Sequence, residues 1–178
     1  MTPRPATASR ALATGALLLL AACAAPPPAS PQPAALTSAS PEAMVAAIRA
    51  AAGHDDSELA VQPLRDPMVE DLREEALHLE SRQQYAAAAA ALDKALAIVP
   101  EDPALLQERA EAALLLRQFD AAERLARQAY DLGARVGPLC RRHWATVRQA
   151  RLVAGDAAGA QAAQSQVDGC KVAGPNRF

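Results

Sequence analysis

The sequence predicts an all-α protein built from about three helical hairpins, and three observations carry that reading. Alanine fills 47 of the 178 positions while aromatic residues make up only 3% of the chain. Alanine is the strongest helix former, whereas β-sandwiches and barrels want β-branched and aromatic side chains. Two 34-residue blocks, 69–102 and 103–136, align without a gap, and within each the apolar residues recur at helical spacing around a single break.

The chain opens with an export signal. Arg4 and Arg10 precede an uncharged run, residues 11–22, that contains four consecutive leucines. The run is too short to span a bilayer, which takes ~20 apolar residues. It ends in Leu20-Ala21-Ala22-Cys23. This resembles the bacterial lipobox, in which the cysteine is acylated and becomes the mature N-terminus. The resemblance implies residues 1–22 as signal peptide, Cys23 as lipidation site and the membrane as a partner through that anchor. Ala24 stands where an aspartate would retain a lipoprotein at the inner membrane. The implied location is therefore the outer membrane, facing the periplasm. An ordinary signal cleaved near Ala25 is the alternative. The mature chain would have 156 residues and a net charge of −4, from 16 basic and 20 acidic side chains. That leaves no basic footprint for nucleic acid.

Residues 23–40 read as a lipidated N-terminus and a disordered tether. Pro26, Pro27, Pro28, Pro31 and Pro33 remove amide donors, and no side chain there is charged. At ~3.1 Å per residue such a segment reaches roughly 50 Å. Residues 41–65 read as a helix and a connector. Ser40-Pro41-Glu42 is a helix start with cap, first-turn proline and acid; Met44, Val45 and Ile48 share a face; and Gly53 ends the helix. His54-Asp55-Asp56 is read as a solvated turn, because three adjacent residues cannot all face one metal ion.

The repeats begin at Asp66-Pro67, a cap and first-turn proline that returns at Asp102-Pro103. Leu72 aligns with Leu106, Ala76 with Ala110, Tyr85 with Phe119, Ala88 with Ala122, Ala95 with Ala129 and Ile98 with Leu132. Breaks fall near 81–84 and 116–118. Each block is thus a hairpin, with alanine letting its helices approach closely. The pattern resembles the tetratricopeptide repeat. Leu72, Ala76, Tyr85, Ala88, Ala95 and Pro100 match that family's positions in the first block, and Leu106, Ala110, Phe119, Ala122 and Ala129 in the second. Ala134 replaces the second block's proline. A third, degenerate block follows an insertion around residues 133–138, with Trp144, Val147, Gly155-Asp156 and Ala160 in place, but Arg148 where a small residue belongs. The resemblance implies a right-handed superhelix over 66–168, followed by a tail at 169–178. A generic alanine-rich bundle is the alternative.

No catalytic, metal or cofactor site is expected. His54, His78 and His143 occupy unrelated repeat positions, and glycine-rich phosphate loops and nucleophile elbows are absent from the sequence. Glu74-Glu75 and Glu108 with Glu111 read as a solvated helix face, and Trp144 as core. Cys140 and Cys170 remain as a pair once Cys23 is lipidated. They fall at the start and end of the third hairpin, whose two ends lie side by side, so a disulfide is expected.

The family resemblance also implies a concave face lined by the first helix of each hairpin. It assigns Glu70, Arg73, Leu77, Glu80 and Ser81, then Ala104, Gln107, Glu111, Leu114 and Leu115, then Arg142, Ala145, Gln149, Leu152 and Val153. Arg73 and Leu77 stand where a carboxylate clamp needs lysine and asparagine. What remains is an apolar strip of Leu77, Leu114, Leu115, Leu152 and Val153, rimmed by Arg73, Glu80 and Glu111, suited to a segment of an envelope protein partner. In the alternative, helix 41–52 folds back and fills the strip with Met44, Val45 and Ile48. The expected function is a lipid-anchored, non-enzymatic scaffold. An accessory role in cell-wall metabolism, binding peptidoglycan or a wall enzyme, and a structural spacer are the alternatives.

Overall fold

The structure is a computed structural model, and it describes residues 33–53 and 66–171. The signal peptide, Cys23, residues 24–32 of the tether, the connector 54–65 with His54-Asp55-Asp56, and the tail 172–178 lie outside the described residues. The described residues form seven helices and no strand. These are α1 (Pro41–Ala51), α2 (Pro67–Ser81), α3 (Tyr85–Ile98), α4 (Pro103–Leu115), α5 (Phe119–Leu132), α6 (Gly137–Val153) and α7 (Ala157–Gly169). None is long and apolar enough to cross a membrane.

Helices α2/α3, α4/α5 and α6/α7 are three hairpins that pack in chain order into a stack. Capping sets where they start. The Asp66 side chain accepts from the Met68 amide at 2.8 Å, Asp102 from Ala104 at 2.7 Å and Asp156 from Gly159 at 2.8 Å, while Ser40 caps α1. The hairpin turns are held by left-handed residues in equivalent places: Gln83 at φ 60°, Arg117 at φ 59° and Gly155 at φ 75°. The first two are 34 residues apart, so the sequence period is also a period of backbone geometry. Only glycine adopts that conformation without steric cost.

Alanine does the close packing. Ala88, Ala95, Ala110, Ala122, Ala126 and Ala129 are each at most 2% exposed. One apolar cluster joins α2, α3 and α4 through Val69, Leu92 and Leu105, and another joins α1, α4, α5, α6 and α7. Arg148 stands at the place of Ala76 and Ala110 relative to the turn but is half-buried, and α6 is buried instead through Val147 and Ala150. Ile98 and Leu132, expected as repeat apolar positions, are 40% and 43% exposed. They sit in the last residue of α3 and of α5, beyond the reach of the neighbouring helix.

Two segments depart from the expected plan. Residues 33–36 are not free tether: the Leu36 amide donates to the Leu152 carbonyl at 2.8 Å, and Pro33 and Ala34 lie against Gly155 at the α6–α7 turn. Residues 33–36 are therefore part of the domain. A Cβ on Gly155 would stand 2.6 Å from both the Ala34 carbonyl oxygen and the Pro33 Cβ. Gly155→Ala is therefore expected to cost about 1–2 kcal/mol, from strained φ and steric conflict. It should also speed hydrogen exchange of the Leu36 amide; an unchanged exchange rate would contradict this contact. The second departure is α1, which belongs to the stack instead of standing before it. It packs on α4 and α6, against the face expected to be open.

The Cys140–Cys170 disulfide closes the open end of the last hairpin. Its Cα atoms are 5.7 Å apart, both residues are buried, and the Gly137 amide donates to the Cys170 carbonyl at 2.7 Å.

Candidate functional site: a filled concave face

At Leu114 and Leu115 the expected partner groove is overturned as an open surface. Leu114 is 0% and Leu115 7% exposed, both packed in one cluster with Val45 and Ile48 of α1. Met44, Val45 and Ile48 are themselves at most 4% exposed. The physical reason is direct: a helix with one strong apolar face and no other core to enter covers the strip that would otherwise be wet. Leu152 and Val153 are half-buried near residues 33–36, at the far end of α6. Leu77 remains exposed, over a cleft of about 320 Å³ that it shares with Arg49, Ala52, Glu108 and Arg142.

The charged residues assigned to the rim instead form the internal fastening of α1. Glu111 is completely buried. Its carboxylate accepts from Arg49 Nε at 2.8 Å, from Arg142 Nε at 3.0 Å and from Gln107 Nε2 at 2.9 Å. Arg49 also donates two parallel bonds to Glu80, at 2.8 and 2.9 Å. Burial works against the Arg49 charge, but its bonds to Glu80 and the Glu111 carboxylate outweigh that, and its pKa is raised. Arg73 turns away to Glu108 and Glu70, and its bond to Glu108 raises its pKa against desolvation. The reading of Glu108 and Glu111 as a solvated face is thus corrected: both are held in ion pairs. At the other end of α1, the buried Arg141 donates from Nε to the Ala52 carbonyl at 2.9 Å, closing the helix C-terminus.

Behind Glu111 lies a polar core. Gln107 Nε2 reaches Thr146 Oγ1 at 2.8 Å, and Gln107 Oε1 pairs with His143 Nδ1 at 2.8 Å. His143 is fully buried, and burial, with Arg142 nearby, depresses its pKa to about 3. An unfolded histidine titrates near 6.5, so between about pH 3 and 6.5 the unfolded chain holds more protons than the folded one. Stability is then fully present above about pH 6.5 and falls on acidification, by up to about 1.4 kcal/mol per pH unit. The urea midpoint is expected to drop between pH 7 and pH 5, and His143→Gln to flatten that slope. Equal midpoints at the two pH values would contradict a neutral buried imidazole.

The described residues hold no group of three or more His, Cys, Asp or Glu side chains that could bind a metal ion. His78 lies exposed on α2. Trp144 is half-buried, packed edge-to-face on Tyr130 at 4.9 Å with Arg127 over its ring at 5.5 Å. A cleft of about 540 Å³ lies between Pro33 and the start of α5, lined by Phe119, Arg117 and Arg124.

No family model matches the chain, and no curated protein is similar to it in sequence. A solved structure is. The described fold is similar to the globular C-terminal domain of P. aeruginosa LpoP. The two share 28% sequence identity with a TM-score of 0.56, over 59% of this chain and 99% of the LpoP domain. The likeness therefore takes in nearly all of the LpoP domain. What sequence reasoning missed is the fastening: Arg49 shares the α1 face of Val45 and Ile48, and a cation on an apolar stripe is the signal that a buried acid waits opposite.

Proposed function

We propose that this chain is a lipid-anchored, periplasm-facing adaptor of the bacterial envelope that binds a protein partner and performs no chemistry itself. The single observation that carries this reading is the likeness to the LpoP domain across 99% of that domain's length. The lipobox at residues 20–23 supports anchoring through Cys23, and Ala24 supports the outer membrane. The 34-residue period, with its equivalent left-handed turns, supports membership of the tetratricopeptide class.

Two linked measurements test this. Labelled fatty acid should enter the wild-type protein and not Cys23→Ser; equal labelling of both, or of neither, would remove the anchor. Reversible crosslinking in intact cells, followed by affinity isolation and mass spectrometry, should then enrich one envelope protein. The comparison is an unrelated domain carrying the same residues 1–32. No enrichment over that control would contradict the adaptor reading.

A further inference from the structure

With the concave face occupied, a partner has to meet the domain elsewhere. Antiparallel hairpins give the stack two ends of different kinds. One carries the three hairpin turns. The other carries the helix-to-helix connectors, where α2, α4 and α6 begin and α3, α5 and α7 end. The disulfide between the start of α6 and the end of α7 lies at this connector end, as does the close approach of Gly133 to Pro103.

The exposed apolar side chains divide unevenly between these ends. Seven large apolar residues are exposed among the described residues. Five of them, Met68, Ile98, Val99, Leu132 and Val136, are on the connectors or the helix ends that flank them, with exposures of 37% to 62%. The turn end carries one of the other two, Leu36, and its turns themselves are polar: Arg82-Gln83-Gln84, Arg117-Gln118 and Gly155-Asp156. Solubility alone would make both ends polar. Single exposed apolar residues are ordinary, but this many at one end mark a contact surface.

The charges at the connector end lean acidic. Asp66, Asp71, Glu101, Asp131 and Asp168 are exposed there, against Lys94, Arg135 and Lys171. Arg135 is held by Asp131 at 3.7 Å and stacked over the Tyr130 ring at 4.4 Å, and Lys171 is held by Asp168 at 3.5 Å. Residues 33–36, through which the chain leads back to Cys23, join the domain at the opposite, turn end.

We infer that this connector end is the docking surface, and that it takes an apolar segment of the partner flanked by lysine or arginine. Apolar contact supplies the affinity, and the acidic surround orients and accelerates the encounter. The inference rests on the adaptor reading above and assigns it a place on the molecule.

The test uses the full lipidated chain in intact cells. A photoreactive benzophenone amino acid is placed in turn at Val99 and Val136 of the connector end, Gln83 and Gln118 of the turn end, and Leu77 of the concave face. The expected result is a crosslink to one envelope protein from Val99 and Val136 and none from Gln83 or Gln118. The captured partner peptide should carry Lys or Arg beside apolar residues. Reversing exposed charges with Glu101→Lys and Asp131→Lys should cut the crosslink yield about tenfold and leave the helical circular dichroism unchanged. Capture from the turn end or Leu77 alone would overturn the surface and leave the adaptor role standing. Crosslinks confined to this chain's own residues 54–65, or to a second copy, would show the apolar end to be covered by itself and would equally overturn it. Absence of any crosslinked protein from all five positions would overturn the adaptor role along with the surface.

Discussion

Glu111→Ala is expected to lower the stability of the domain by about 3 kcal/mol, toward the lower end of the range for a broken buried ion pair. The carboxylate is completely buried and serves two guanidinium groups and one amide at once. Its removal leaves Arg142 and Gln107 facing a dry gap. Water softens the loss, because the Arg142 side chain is 23% exposed and Arg49, 40% exposed, keeps Glu80. Pairing Glu111→Ala with Arg49→Ala in a double-mutant cycle should return a coupling of about 1 kcal/mol or more, since the two share one contact. Urea unfolding followed by far-UV circular dichroism reads both quantities. A loss below about 1 kcal/mol for Glu111→Ala would mean that the apolar face of α1 alone holds it in place.

Removing the disulfide is expected to cost about as much. Cys140→Ala with Cys170→Ala opens a loop of 30 residues, for which the chain-entropy model gives about 3–4 kcal/mol. The bond matters here because α7 ends the described stack and buries little bulk. Its buried side chains are Ala160, Ala163 and Val167, and only Val167 is larger than alanine. The loss should concentrate in α7, whose amides are expected to exchange well before those of α4. The unfolding midpoint of the wild type should fall on adding a thiol reductant. An unchanged midpoint under reduction would show that packing against α6 suffices.

Much of the architecture could be read from the sequence because it depends on short-range chemistry. Asp66-Pro67 and Asp102-Pro103 set helix starts through caps a few residues away, and the repeat breaks fall where Gln83 and Arg117 turn the chain. The cysteine pairing follows from antiparallel order once Cys23 is set aside for lipidation. What could not be read depends on which surfaces meet. The face Met44-Val45-Ile48 announced that α1 is buried but not what it is buried against, so filling the groove stood beside an open groove as an alternative. Glu111 looked like a surface carboxylate because helical spacing cannot distinguish a concave face in water from one covered by a helix. The proline-rich composition of 23–40 argues against helix and sheet, yet it says nothing about an extended segment finding one backbone partner, as Leu36 does at Leu152.

The account turns on α1 being a permanent part of the domain, so that the concave face is occupied and a partner is met elsewhere. Native-state hydrogen exchange of the full mature chain measures this directly. The amides of Val45, Ile48 and Arg49 are expected to exchange as slowly as those of Leu114 and Leu115 in α4, through the same cooperative opening. Exchange of the α1 amides at the rate of an unstructured peptide, with α4 still protected, would contradict the account and return the Leu114–Leu115 strip to the partner.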